Sequence, residues 1–170
     1  RKYSIAVSFG FIERDGDAFF SSQLTIDKNG RIIDVYRRVS PGWKESFAGR
    51  EYREGSGFHT FDFLGKKVAV GLCGDLWYEE NIARLNELNP DVVWWPVYTD
   101  YNHSEWNNTA KLEYAEQAGK INAPVFYVNS VCIDKSDECE VAEGGAALFY
   151  KGLIKEELPS GNGGILFAEF

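Results

Sequence analysis

The chain has 170 residues, 44% of them apolar and 15% aromatic, enough to bury a sizeable core within one domain and too apolar for a disordered segment. Its formal net charge is -8, and its Lys and Arg residues are scattered with no stripe to track a phosphate backbone, which argues against a nucleic-acid partner. No apolar run approaches the roughly 20 residues that span a bilayer, and three cysteines without a CxxC pair or zinc-ligand spacing suit a reducing compartment; the expectation is a soluble cytoplasmic protein.

In chain order, residues 4–11, 19–26 and 32–38 are rich in β-branched and aromatic types and are separated by Arg14-Asp15-Gly16-Asp17 and Asp27-Lys28-Asn29-Gly30. They read as three consecutive antiparallel strands. After an irregular stretch over 40–57, strands over 58–63 and 67–72 form a hairpin across Leu64-Gly65-Lys66. The pattern then changes to helical spacing at Ile82, Leu85 and Leu88, followed by an apolar strand over 92–95. Ala110, Tyr114, Ala118 and Ile121 mark a second helix, and a strand over 125–131 follows. These steps predict an α/β fold with buried strands under helices. Short strands over 146–150, 153–157 and 165–169 close the chain, which contains no repeat and no linker and reads as one domain over 1–170.

The stretch from Val68 to Glu80 carries the chemistry. A buried strand ends, Cys73 stands at the turn, Gly74 permits tight backbone geometry, and a helix begins within a few residues. Free N–H groups at a helix start can stabilise negative charge on sulfur and hold an oxyanion. Taken alone, a cysteine after a buried strand is as a rule an inert core thiol. Its neighbours change that reading.

Cys73-Gly74-Asp75-Leu76-Trp77-Tyr78-Glu79 resembles the nucleophile turn of the nitrilase superfamily, the carbon-nitrogen hydrolases. Asp91-Val92-Val93-Trp94-Trp95-Pro96 resembles that family's apolar strand ending at proline. Ala115-Glu116-Gln117-Ala118 is similar to its helix signature, Val128-Asn129 to its strand-terminal asparagine, and Gly144-Gly145-Ala146 to its Gly-Gly-Ser pattern. Upstream, Ala18–Ser22 and Gly30–Arg38 resemble the two strands that lead to the family's lysine. Each motif is weak alone; their order and spacing are specific.

The resemblance implies an α-β-β-α sandwich of two mixed sheets flanked by helices, and a Glu-Lys-Cys triad acting on a small amide, carbamoyl compound or nitrile. Cys73 takes the nucleophile's place. Tyr36-Arg37-Arg38 puts Arg38 where the family has lysine, with Lys44 as the alternative cation. Glu45 stands for the accessory glutamate, with Glu51 and Glu54 competing. The general base is expected in a segment preceding Arg1, together with a first strand and helix; Glu13 aligns with a non-catalytic position. Substrate contacts are expected from Gly74, Tyr98, Trp106 and Asn129, with aromatic walls around the loop after Pro96. Neither cofactor nor metal is implied. Family members assemble back to back, so a homo-oligomer is expected, and the exposed sheet edge invites a missing N-terminal segment or a second copy. Cys132 reads as core filler and Cys139 as an exposed loop thiol, with His59 and His103 lacking a partner pattern. The competing readings are a catalytically inactive association subunit and an unrelated α/β binding protein in which Cys73 is core.

Overall fold

The computed structural model describes residues 2–44, 46–132, 141–161 and 163–169. β1 (Val7–Asp15), β2 (Ala18–Ile26) and β3 (Ile32–Arg37) form a three-stranded antiparallel meander. β1 runs four residues further than its composition predicts, because Asp15 pairs directly with Ala18. Gly16 and Asp17 alone make the turn, with Gly16 at φ +60°, a conformation that costs glycine nothing.

β4 (Thr60–Phe63) and β5 (Lys66–Val70) form the expected hairpin, with Leu64 and Gly65 both at positive φ as a tight two-residue turn requires. β5 then pairs parallel with β6 (Val92–Val97), and β6 with β7 (Val125–Asn129). β8 (Ala146–Tyr150) and β9 (Leu153–Leu158) complete a six-stranded sheet in the order β4-β5-β6-β7-β8-β9. The parallel strands are connected through α1 (Glu79–Glu87) and through a composite helix. The latter comprises α2 (His103–Glu105), a π-helical turn (Trp106–Ala110) and α3 (Lys111–Ala118).

Alternation along β6 divides the core. Val93, Trp95 and Val97 join Leu76, Ile82, Leu85, Tyr114 and Ala118 in one buried cluster on the helix side of the sheet. Trp94, one residue out of phase, meets Phe61 and Phe63 edge-on and packs with Tyr36, Val70 and Leu72 on the other side. The layers are therefore helices, six-stranded sheet, three-stranded sheet, an α/β architecture with one mixed and one antiparallel sheet. Among the described residues no helix covers the outer face of the three-stranded sheet, and none is long and apolar enough to cross a membrane.

The expected strand over 165–169 does not form. Ile165 and Phe167 are exposed at 76% and 83%, and no described strand pairs with them in a ladder. Their aromatic and β-branched character is real, but a strand needs a partner.

The two sheets are held together by polar contacts as well as apolar ones. Phe58 stacks on Tyr36, and His59 Nε2 lies 2.7 Å from Asp34 Oδ1 on β3. The hydrogen bond that His59 donates to the Asp34 carboxylate raises the His59 pKa above its ordinary value. A raised folded-state pKa adds stability that is fully present below the unfolded value and disappears as pH rises through the folded one. The gap in stability between the wild type and His59→Gln should accordingly be largest near about pH 5.5 and shrink by about pH 9, read from urea midpoints at each pH.

Candidate functional site

Cys73 sits where β5 has ended and a five-residue 3-10 turn (Cys73–Trp77) begins. The expected α-helix starts at Glu79, as its apolar spacing predicts, and the 3-10 turn fills the interval between it and the strand end. What distinguishes Cys73 is its backbone, at φ +52° in the left-handed region. For a non-glycine residue this costs on the order of 1–3 kcal/mol and survives only where neighbours over-determine it. They do. Trp95 Nε1 donates to the Cys73 carbonyl at 2.8 Å, Asn81 Nδ2 to the Asp75 carbonyl at 3.0 Å, and Gln117 Nε2 to the Leu76 carbonyl at 2.6 Å. Three elements thus grip three carbonyls of one turn.

Asp75 supplies the grip from the other side. It is fully buried, and its carboxylate accepts four hydrogen bonds: from Ser40 N at 2.7 Å and Val39 N at 3.1 Å through Oδ1, and from Tyr36 Oη at 2.7 Å and Leu72 N at 2.9 Å through Oδ2. Burial and the adjacent carboxylate push the Tyr36 phenol well up, so it stays a donor. The end of β3 is in this way tied to the cysteine turn.

That tie carries Arg38 to Cys73. Arg38 is 8% exposed; its Nε donates to Ser40 Oγ at 2.9 Å and its Nη2 to the Pro41 carbonyl at 3.0 Å. Among the described residues it has no carboxylate partner. Gly74 makes the approach feasible, because a Cβ there would collide with Arg38 Nη2. A cavity of about 580 Å³ opens beside these groups, lined by Cys73, Arg38 and Tyr98 together with Gln23, Trp43 and Pro96. None of its described lining residues is Asp, Glu, His or Lys.

The other residues singled out by sequence are distributed as follows. Tyr98 lines the cavity, and its carbonyl lies 3.8 Å from Cys73 Sγ. Asn129 stands one layer back, donating to the Thr99 carbonyl at 3.0 Å and accepting from Thr99 N at 3.1 Å, so it fixes the loop that carries Tyr98. Trp106 is buried, stacked on Tyr127 with centroids 4.6 Å apart, and does not line the cavity. Lys44 is turned away: it reaches Glu54 at 3.1 Å and the Tyr52 carbonyl at 2.7 Å, beside a separate cleft that also holds Glu51. Glu45 and Cys139 lie outside the described residues. Glu13 is bound by Arg37, whose hydrogen bonds hold its carboxyl below the usual range. Cys132 is not core filler: it is half-buried with Sγ 3.1 Å from Tyr98 Oη. His103 pairs with Glu143 at the surface.

Sequence reading missed Ser40 and Gln23, and gave Asp75 no role beyond its motif. Ser40 is visible in sequence only as a loop serine; its 2% exposure and its double contact, N–H to Asp75 and hydroxyl to Arg38, emerge only from the packing of two sheets.

Comparison with known proteins bears on this arrangement. The family model described as carbon-nitrogen hydrolase matches residues 1–169. The citrullinase of Francisella tularensis subsp. tularensis is 38% identical over 101 residues, covering 56% of this chain and 34% of that protein. The nitrilase of Pyrococcus abyssi is 27% identical over 155 residues, covering 91% of this chain and 52% of that protein. The crystal structure of carbon-nitrogen hydrolase from Helicobacter pylori G27 superposes with a TM-score of 0.75 at 17% identity, over 98% of this chain and 62% of that one, a likeness of fold. The chain thus spans about a third to a half of the length of these two curated relatives.

The Asp75 geometry predicts a graded stability loss. In Asp75→Asn the amide nitrogen can face Tyr36, whose hydroxyl turns to accept, but Leu72 N–H then loses its acceptor, at a cost of about 1–3 kcal/mol. Asp75→Ala strands all four donors and should cost more, both read from denaturant midpoints.

Proposed function

This chain belongs to the carbon-nitrogen hydrolase family, and from that membership we propose that it hydrolyses a non-peptide C–N bond in a small amide, carbamoyl compound or nitrile, with Cys73 as the nucleophile. The observation that carries the reading is the over-determined left-handed cysteine turn, held against a buried guanidinium at the wall of a cavity.

In the proposed cycle the Cys73 thiolate attacks the carbonyl carbon of an amide, forming a C–S bond and moving the carbonyl electron pair onto oxygen. Arg38 and backbone N–H groups of the turn face that developing charge; the guanidinium stays protonated at any working pH and acts as a donor, not a proton carrier. Collapse of the tetrahedral species expels the amine, which leaves with a proton, and water then cleaves the thioester to release the acid and restore the thiol. A nitrile enters by the same attack and gives a thioimidate first. The base that takes the thiol proton is assigned to a carboxylate outside the cavity's described lining, with Glu45 retained as the accessory candidate. The substrate classes follow from the resemblance and from the names of the relatives, citrullinase and nitrilase.

A second reading, an association subunit without turnover, draws on one observation. Val7, Phe9 and Ile12 of β1 are 47%, 45% and 59% exposed along a strand paired on one side only among the described residues, a surface suited to another chain.

Ammonia release from a panel of primary amides, ureido compounds and nitriles by the complete gene product decides between them. Turnover should vanish in Cys73→Ala, and iodoacetamide at neutral pH should alkylate Cys73 faster than Cys132. Arg38→Met should lower kcat by about a hundredfold to a thousandfold, the usual effect of removing an oxyanion donor, with Arg38→Lys recovering part of it. No Cys73-dependent turnover on any of these substrates would favour the association subunit.

A further inference from the structure

The wall of the Cys73 cavity contains an acceptor that no described residue uses. Gln23 lies in the middle of β2, is 4% exposed, and lines the cavity together with Cys73 and Arg38. Its amide nitrogen donates to Ser8 Oγ at 2.9 Å, and Ser8 Oγ in turn lies 3.0 Å from Thr25 Oγ1. That chain of side chains on one strand face orients the carboxamide. Its Oε1 is buried without a hydrogen-bond partner among the described residues. Gly10, directly opposite on β1, leaves the space above it open: even a Cβ there would only reach ordinary contact with Oε1, at 3.4 Å.

An orphaned buried carbonyl costs about as much as a lost hydrogen bond, and such a group, one of four buried side-chain polar atoms without a partner among the described residues, needs an explanation. Position supplies one. Arg38 N bonds to the Ser21 carbonyl, so Arg38 stands opposite Ser21, and Gln23 is two residues further along the same strand on the same face. Two residues of antiparallel strand span about 7 Å. Gln23 also lines, with Pro96, the neighbouring cavity of about 490 Å³, which puts it at the end of the Cys73 cavity where the two meet.

We propose that Gln23 is a specificity-determining residue: its Oε1 accepts a hydrogen bond from an N–H or O–H group at the far end of the acyl part of the substrate that Cys73 attacks. The inference rests on the hydrolase reading for the role of the ligand as substrate, and on the cavity geometry for its chemistry. It selects acyl groups with a donor at their far end over purely aliphatic ones of the same length, because the latter leave Oε1 desolvated and unpaired.

The test separates the two claims. Hexanamide and 5-hydroxypentanamide have the same length and differ by a terminal methyl against a hydroxyl. Each is titrated calorimetrically into the complete gene product carrying Cys73→Ala, which binds without turnover. The hydroxy amide should bind at least about tenfold more tightly, and the preference should collapse in Gln23→Leu and survive in Gln23→Glu, which keeps an acceptor. A purely structural Gln23 would weaken both ligands alike and leave their ratio unmoved. The preference must already exist with Gln23 in place, so its absence there, or no binding of either amide, overturns the proposal even if Gln23→Leu fails to fold. A Gln23-dependent preference in a protein that releases no ammonia sinks the hydrolase reading and leaves the acceptor standing.

Discussion

The buried carboxylate of Asp75 is the constraint on which the rest of the site depends. A charge removed from water must be compensated in full, and here compensation comes from four donors that belong to three places: the tyrosine of β3, two backbone amides beyond the end of β3, and the amide that opens the cysteine turn. Because two of those places lie in the three-stranded layer and one in the six-stranded layer, satisfying the carboxylate fixes the distance between the sheets at that point. The strained backbone of Cys73 and the position of Arg38 are then consequences of one solvation requirement. Ser40 makes the coupling explicit, since its amide serves the anion and its hydroxyl the cation.

Charge makes the same site demanding in the opposite sense. Among the described residues Arg38 is buried with neutral acceptors only, a serine hydroxyl and a peptide carbonyl, which leaves its net charge facing whatever enters the cavity. A guanidinium in that position is planar and presents fixed donors, where an ammonium would be compact and free to reorient. The exchange narrows the geometry in which an oxyanion can be received, and it removes the option of shuttling a proton through this residue. On the proposed mechanism, proton transfer must therefore be wholly the work of a carboxylate, while Arg38 answers only to charge on oxygen.

How far the site could be read from sequence follows from the same physics. The strand-turn-helix pattern around Cys73 was legible because apolar run, glycine and helical spacing are local signals, and the family resemblance rested on such local motifs in order. Most elements followed for the same reason, whereas the layered sandwich was implied by the resemblance. What was not legible depends on where two layers meet. Along β2, Ser21, Gln23 and Thr25 alternate with Phe20, Ser22 and Leu24, and a binary pattern would send the polar set to solvent. In the structure that polar face looks into the sandwich, toward Tyr36 and the cavity. The motif placed Arg38 at the lysine position and left Lys44 as the alternative cation; in the structure Glu54 holds Lys44 in another cleft. The strand expected over 165–169 failed for a related reason, since composition specifies a willingness to pair and not the presence of a neighbour.

These observations together define what kind of cavity this is. At the Cys73 end, the turn carbonyls are satisfied by Trp95, Asn81 and Gln117, and the Asp75 oxygens by their four donors. A wall so thoroughly paired makes its exceptions informative. Among the described residues they include a cation without an anion at Arg38, just past the end of β3, and an acceptor without a donor at Gln23 on β2, beside the unpartnered indole N–H of Trp43. A ligand that answers both must develop negative charge at one end and present a hydrogen at the other. A simple aliphatic amide meets the first condition and fails the second, so on the proposed reading the wall itself would discriminate within the class of substrates that Cys73 attacks.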